Sequence, residues 1–189
     1  MEEFLFMSRK KLRLPGRFYA VRALTTAAML AAMSIVCGKY LAFPIGNVMR
    51  FSFENLPIIL CGMMFGPIMG ALTGVVADLF GCLLVGYTIN PIVTLGAFAI
   101  GFLSGLVGKI PVIKSDLLKL ILAVIVSHTV GSVIIKTFGL AAFYSFPVYV
   151  LMAWRALNYL IVGTAEIIAL HFISKNNYIR TLMFNRSKK

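Results

Sequence analysis

The sequence predicts an all-α integral membrane protein with six transmembrane helices in one membrane domain. Of its 189 residues, 60% are hydrophobic and only 13% are charged, and the mean hydropathy is +0.95. A soluble domain is closer to half apolar and a quarter charged. The apolar residues also fall into long runs that polar, glycine-rich or proline-rich stretches separate. Consecutive membrane spans have this pattern.

Glycines, prolines or charged residues lie at or near the ends of the predicted spans. They are expected at residues 18–38, 54–65, 68–85, 91–107, 120–138 and 147–173. The second is short, because an upright crossing needs about 20 residues. Residues 39–53 are broken by Pro44, Gly46 and Asn47 and are expected to form a long loop.

Basic residues flank the spans and give a net charge of +12. They cluster in a predicted N-terminal tail (residues 1–17), in the loop after the fourth span, and in a predicted C-terminal tail (residues 175–189). The membrane domain between the tails covers residues 18–174. Because six spans put all three clusters on one side, the positive-inside rule makes both termini cytoplasmic. Such clusters contact anionic membrane lipid, and their distribution argues against nucleic acid as the partner.

The first span carries two rows of alanines at intervals of four residues. Ala23, Ala27 and Ala31 form one row, and Ala28 and Ala32 lie on the adjacent row. Small residues at this spacing allow another helix to approach closely. That helix could belong to a partner protein or to the same chain, and the spacing leaves both open.

Isolated ionisable residues in or beside the apolar runs are the first candidates for a binding site, because such groups usually face a cavity or a partner. Four cations fall on the predicted outer side, where the positive-inside rule disfavours them. They are Lys39, Arg50, Lys136 and Arg155. Attraction of an anionic ligand explains them, and pairing with Glu54 and Asp78 is the structural alternative.

Polar residues at helical spacing are expected to line an outward pocket on the last two spans. They are His128, Ser132 and Lys136 on one helix, and Arg155, Asn158 and Tyr159 on the other. Aromatic residues near the pocket would be Tyr87, Tyr144 and Trp154. Such a pocket suits a flat aromatic ligand that bears carboxylates. His128 could instead form an interhelical hydrogen bond, and Tyr144 and Trp154 could anchor the helices at the membrane interface.

Catalytic motifs are missing from the chain. It contains no GxxxxGK[ST] phosphate loop, no HExxH and no GxSxG. The spacing of its three cysteines matches no metal motif. The sequence therefore predicts no enzyme, no catalytic residue, no bound metal and no cofactor.

Four stretches carry a resemblance to a known family. They are RFSFENLPIILCGMMFGPIMGALTGVVADLFG (50–81), YTINPIVTLGAFAIGFLSGLVG (87–108), SHTVGSVIIKTFGL (127–140) and WRALNYLIVGTAE (154–166). They resemble the folate-family S component of energy-coupling factor (ECF) vitamin transporters, over roughly residues 17–173. GPxxGxxxG and DLxG are shared by several S-component groups. INPxxTLG and the arginine–asparagine pattern of the last span favour folate.

The resemblance implies a six-helix, substrate-binding subunit of a bacterial plasma-membrane transporter. It implies vitamin capture from outside, docking of the first span on a membrane T subunit through an AxxxA motif, and two partner ATPases. Residues 39–53 would gate the pocket. The alternatives are an S component for another vitamin, such as thiamin or riboflavin, and a membrane docking protein without transport function.

Site residues are expected on the positions that match this picture. The substrate-binding candidates are Arg50, Asp78, Asn90, His128, Lys136, Tyr144, Arg155 and Asn158. The gating candidates are Lys39, Asn47, Arg50 and Glu54, where Arg50 and Glu54 could hold the gate instead of the ligand. The docking candidates are Ala23, Ala27, Ala28, Ala31 and Ala32. Within the pocket, Asp78 and Asn158 are expected to recognise a pterin ring, and Lys136 or Arg155 a carboxylate.

Overall fold

The computed structural model describes residues 16–45, 49–144 and 147–184. In this part the chain is a helical bundle with one short ribbon of two antiparallel strands. The first elements are α1 (Gly16–Ile35) and its π-helical continuation π1 (Val36–Tyr40), followed by the strands β1 (Phe43–Ile45) and β2 (Met49–Phe51). The remaining elements are α2 (Asn55–Phe65), α3 (Pro67–Val85), α4 (Pro91–Lys109), α5 (Asp116–Ser127), π2 (His128–Ile135), α6 (Lys136–Tyr144), α7 (Val148–Ser174) and α8 (Asn177–Phe184).

Five helices in the described part are long and apolar enough to cross a membrane. They run over Ala20–Tyr40, Pro67–Val85, Pro91–Lys109, Asp116–Phe143 and Val148–Ser174, so that α5, π2 and α6 form one continuous span. The expected second span is α2, which has only 11 residues. The described residues therefore form an apolar helical bundle with five helices of spanning length and a sixth, shorter apolar helix.

Local sequence signals set the helix ends. Gly66 has a φ of 98°, and this conformation lets α2 turn directly into α3. The side chain of Asn90 caps α4 by accepting hydrogen bonds from the backbone N–H of Ile92 and of Val93. Ser115 caps α5 in the same way by accepting from Leu118. The helix therefore begins at Asp116, earlier than the expected start at residue 120, and the preceding loop is shorter than the sequence suggested.

Close contacts between backbones join α2, α3 and α4. A Cβ atom on Gly101 of α4 would overlap the carbonyl group of Gly70 on α3. Gly74 meets the carbonyl oxygen of Ala97 in the same way, and a Cβ atom on Gly105 would lie 2.5 Å from Pro67. Glycine is the residue that permits helix backbones to approach this closely in a membrane protein. These three helices form the tightly packed part of the bundle.

The C-terminal segment differs from the expected basic tail, because residues 177–184 form α8. Met183 and Phe184 are buried in the main hydrophobic core, and Ile179 packs against it. Arg180 also pairs with Asp116 at the start of α5, with 2.6 Å between the side-chain nitrogen and oxygen. The spacing of Ile179 and Met183 puts both on one helix face, which explains why this segment docks on the bundle.

Candidate functional site

Five polar side chains from five separate segments meet at one end of the bundle. We call them the polar cluster: Lys39 of π1, Glu54 before α2, Asp78 of α3, Thr94 of α4 and Lys136 of α6. The opposite end carries α8, the Arg180–Asp116 ion pair and Lys119, whose ammonium group donates to the carbonyl oxygen of Gly108. The polar cluster therefore lies at the end of the bundle away from α8.

A largely buried ion pair lies at the centre of the polar cluster. The ammonium group of Lys136 donates a hydrogen bond of 3.0 Å to Oε1 of Glu54. The side chain of Lys136 is 5% exposed and that of Glu54 is 27% exposed. The hydroxyl group of Ser34 donates to the backbone carbonyl of Glu54 at 2.6 Å, which fixes the start of α2 against α1. The pair thus connects two helix ends that are 82 residues apart in the sequence.

Asp78 is the second carboxylate of the polar cluster. The hydroxyl group of Thr94 donates a hydrogen bond of 2.7 Å to Oδ2 of Asp78. The ammonium group of Lys39 lies 5.5 Å from the centre of the Tyr87 ring. Lys39 and Arg155 also act electrostatically on Glu54. The site therefore combines acceptors, cations and a nearby aromatic ring.

The polar cluster borders a small cavity of about 10 Å³. This is roughly the space that one water molecule needs. The cavity is lined by Ser34, Ile35, Lys39, Glu54, Ile58, Gly74, Ala77, Asp78, Ala97 and Lys136.

Three glycines leave room for the charged side chains around the cavity. A Cβ atom on Gly38 would lie 2.7 Å from Glu54, one on Gly81 would lie 2.8 Å from Lys39, and one on Gly96 would lie 2.5 Å from Lys136. Each of these glycines therefore leaves space for one charged side chain of the polar cluster.

A second polar group lies deeper, between π2 and α7. His128 is 2.5 Å from Oε2 of the fully buried Glu166, 3.3 Å from the hydroxyl group of Ser132, and stacked on Tyr159 with 4.6 Å between ring centres. Arg155 lies over the same tyrosine ring and donates to the backbone carbonyl of Ser132 at 3.1 Å. These contacts join π2 to α7.

Lys136 and His128 were expected on one helix face, and the structure separates them. Lys136 faces Glu54 at the cavity, whereas His128 faces Glu166 inside the bundle. The intervening π2 segment causes the difference, because π-helical hydrogen bonds span five residues and break the 3.6-residue repeat. His128 therefore makes the interhelical contact that was its alternative role.

Asn90, which was expected to contact the ligand, makes structural contacts in this structure, and its role in binding stays a prediction. Its side-chain oxygen caps α4, and its amide nitrogen donates to the carbonyl oxygen of Gly139 at 2.8 Å. The side chain bridges α4 and α6 and does not border the cavity. Arg155 and Asn158 remain on the first half of α7, where Asn158 is buried.

Three of the predicted site residues lie wholly or partly outside the part of the chain that the structure describes. Asn47 lies outside the described residues. Arg50 belongs to β2 opposite Pro44, and Tyr144 ends α6, but only their backbone is described. Their expected roles in binding and gating stay predictions.

Ser34 and Thr94 are site residues that sequence reasoning missed. Hydroxyl groups are common in apolar helices and gave no signal for Ser34, whereas Thr94 lies inside the INPxxTLG stretch, four residues after Asn90. Asn55 was also missed: it is fully buried, and neither polar atom of its side chain has a hydrogen-bond partner among the described residues.

The structure corrects the docking prediction for three of the five alanines. Ala23, Ala27 and Ala31 are buried inside the chain, on the face of α1 that packs on α2 and α3. They cannot form a surface for a partner helix. Ala28 and Ala32 are exposed, because a rotation of about 100° per residue places them on the outer side of α1.

Comparisons with known proteins give a family and a fold. Residues 22–186 match the profile of the family described as the substrate-specific component of ECF transporters. The chain is similar to the crystal structure of FolT bound with folic acid, with a TM-score of 0.67 and 24% identity, over 82% of this chain and 93% of that one. It is also similar to the S-component for biotin from an ECF-type ABC transporter, with a TM-score of 0.64 and 17% identity, over 84% and 93%. At these identities the similarity shows that the chain has the same fold as both structures.

A curated relative covers a shorter stretch. It is an uncharacterized protein of Mycoplasma pneumoniae named MG313 homolog, which is 35% identical over 68 residues. These residues are 36% of this chain and 24% of the relative. The chain thus spans about a quarter of the length of that relative.

Proposed function

Because the chain belongs to the family of substrate-specific components of ECF transporters, we propose that it binds a folate at the outer face of a bacterial plasma membrane. It delivers the vitamin inward when docked on a membrane T subunit that two partner ATPases drive. The chain embeds in the membrane through its five long apolar helices. ATP hydrolysis belongs to the partners in this proposal, because the chain lacks a phosphate-binding loop motif.

One observation carries the proposal: an acceptor carboxylate and a buried cation face the same cavity. Asp78 and Lys136 both line it. A pterin presents a row of N–H donors on its pyrimidine edge, which a carboxylate accepts in charge-assisted pairs. The glutamate part of a folate carries carboxylates, which an ammonium group holds. We assign the pterin edge to Asp78, with Asn158 as a second contact, and a ligand carboxylate to Lys136 or Arg155.

Ligand entry requires the site to open. Drug-sized ligands occupy pockets of about 300–1,000 Å³, whereas the cavity at the polar cluster is about 10 Å³. The segment 39–53, which contains Lys39 and the β1–β2 ribbon, leads directly into Glu54. We assign this segment the role of the gate.

The charge distribution supports an orientation with both termini in the cytoplasm. Lys119, Lys175 and Arg180 belong to the end that carries α8, and Arg22 lies over the Tyr178 ring at 5.3 Å. Basic residues favour the cytoplasmic side. The polar cluster then faces outward, and α8 packs on the inner end.

Binding by the isolated chain tests the proposal. The protein is purified in detergent and titrated with folate in an isothermal calorimeter. We expect one folate per chain, with binding that excess thiamin, riboflavin or biotin does not reverse. Competition by one of these compounds would reassign the vitamin, and no binding of oxidised or reduced folates would overturn the proposal.

A further inference from the structure

We propose that Glu54 is an internal competitor of the ligand: its carboxylate occupies Lys136 until a carboxylate of the ligand takes its place. This inference rests on the proposed function only in assuming that the ligand bears a carboxylate. It adds a mechanism by which ligand binding moves the side chain of Glu54, which lies directly before α2. It assigns Glu54 to the control of affinity and not to direct contact with the vitamin.

The unequal exposure of the two partners shows which one can leave. The side chain of Lys136 is 5% exposed, and that of Glu54 is 27% exposed. A buried charge without a partner is costly, so Lys136 needs an anion at all times. Glu54 can turn toward water at lower cost, because its side chain already reaches solvent. Exchange of one carboxylate for another therefore keeps Lys136 neutralised throughout.

Backbone contacts confine the movement to the side chain of Glu54. The hydroxyl group of Ser34 holds the carbonyl group of Glu54 at 2.6 Å. The Cα of Gly38 closes one side of the glutamate, where even a methyl group would lie 2.7 Å from Oε2. The carboxylate thus leaves Lys136 by rotating away from π1 while the start of α2 stays in place.

Charge and space at the polar cluster favour the same exchange. Lys136, Lys39 and Arg155 all act on Glu54, so its carboxylate lies within reach of three cations. An incoming anion is drawn to that position. The cavity beside the pair has room for about one water molecule. A ligand carboxylate that reaches Lys136 therefore meets the carboxylate of Glu54 there and competes with it for the ammonium group.

Two matched pairs of probes test the exchange. Folate is compared with pterin, which lacks its carboxylates, and biotin with biotinamide, its neutral amide. Dissociation constants are measured by calorimetry on the purified wild type, on Glu54→Gln, and on Asp116→Asn as a control that removes a carboxylate at the opposite end of the bundle. Size-exclusion chromatography and circular dichroism establish that each variant is folded.

In whichever probe pair the wild type binds, we expect Glu54→Gln to bind the carboxylate probe about tenfold more tightly than the wild type does. The reason is that the charged hydrogen bond from Lys136 to Glu54 no longer competes with the probe. Its affinity for the neutral probe should be unchanged, and its melting temperature without ligand should be lower. Asp116→Asn should bind both probes as the wild type does. In the double variant Glu54→Gln/Lys136→Met, the preference for the carboxylate probe should disappear.

The inference is overturned if Glu54→Gln binds carboxylate probes as the wild type does or more weakly, if it gains equally for the neutral probes, or if it binds none of them. Failure of the proposed function is a different result. Biotin bound more tightly by Glu54→Gln, with no folate bound by either protein, would reject the folate assignment and support the exchange. Folate bound equally by both proteins would support the function and reject the exchange.

Discussion

Two halves of the bundle are held together by different kinds of contact. In the half formed by α2, α3 and α4, backbones touch through glycines such as Gly70 and Gly101. In the half formed by α1, π1, π2, α6 and α7, polar side chains make contacts such as the His128–Glu166 pair, and the Glu54–Lys136 pair joins this half to the start of α2. Backbone contacts have one arrangement, whereas side-chain pairs can exchange partners. The first half is suited to be a scaffold and the second to respond to a ligand.

The π-helical segments fall only in the second half of the described structure. π1 contains Lys39, and π2 ends directly before Lys136. Such segments occur often at functional sites, because they displace side chains from the regular helical repeat. The polar cluster lies where the two halves meet, with Asp78 and Thr94 from the scaffold and the two lysines from the other half.

The largest effect is expected from breaking the scaffold. Gly101→Ala adds a methyl group that overlaps the carbonyl group of Gly70, and we expect a loss of about 3 kcal/mol in the free energy of unfolding. Gly108→Ala on the same helix is the control, since its methyl group would meet Met63 at an ordinary 3.4 Å. Thermal unfolding in detergent measures both. Equal stability of the two variants would contradict the tight packing of this half.

A change in the polar cluster, where the two halves meet, should affect ligand binding more than stability. Asp78→Asn keeps the shape of the side chain and removes its charge. We expect folate binding to weaken about 10- to 100-fold, because charge-assisted hydrogen bonds to the pterin edge are lost. Asp116→Asn, which removes a carboxylate at the opposite end of the bundle, is the control. Unchanged folate affinity of Asp78→Asn, measured by calorimetry, would remove this residue from the site.

A smaller effect is expected at the opposite end of the bundle. Arg180→Ala removes the ion pair with Asp116, and the arginine side chain is half-exposed. Exposed pairs contribute at most about 1 kcal/mol. The melting temperature should fall slightly, and folate affinity should stay that of the wild type. A large loss of either quantity would mean that α8 supports the site and is not only packed on the inner end.

The smallest effect on the purified protein is expected on the outer face of α1. Ala28→Trp and Ala32→Trp alter exposed positions, so stability and folate binding should be unchanged. Uptake of labelled folate by cells that express the whole transporter should nevertheless be lost, because the bulky side chains would keep α1 from packing closely on the T subunit. Met33→Trp, which is exposed on another side of the same helix, should transport normally. Normal transport by the alanine variants would reject this docking surface.

Sequence reasoning predicted the membrane fold and several members of the polar cluster, because both predictions depend on composition and local pattern. Asp78, Lys136, Glu54 and Lys39 were singled out as charges in or beside apolar runs, and the structure brings them together. It did not predict that His128 and Lys136 face different partners, since π2 changes the helical repeat. Nor did it find Ser34, whose hydroxyl group has no distinctive spacing.

The sequence by itself determined that the chain is a membrane bundle, roughly where its apolar helices lie, and which charges need partners. These properties follow from hydropathy over about 20 residues and from the cost of a charge in lipid. Only the tertiary structure decided that Glu54 pairs with Lys136, that Ala27 faces inward while Ala28 faces outward, and that α8 docks on the core. Periodicity gives the faces of a helix, but the partner of each face depends on how the helices pack.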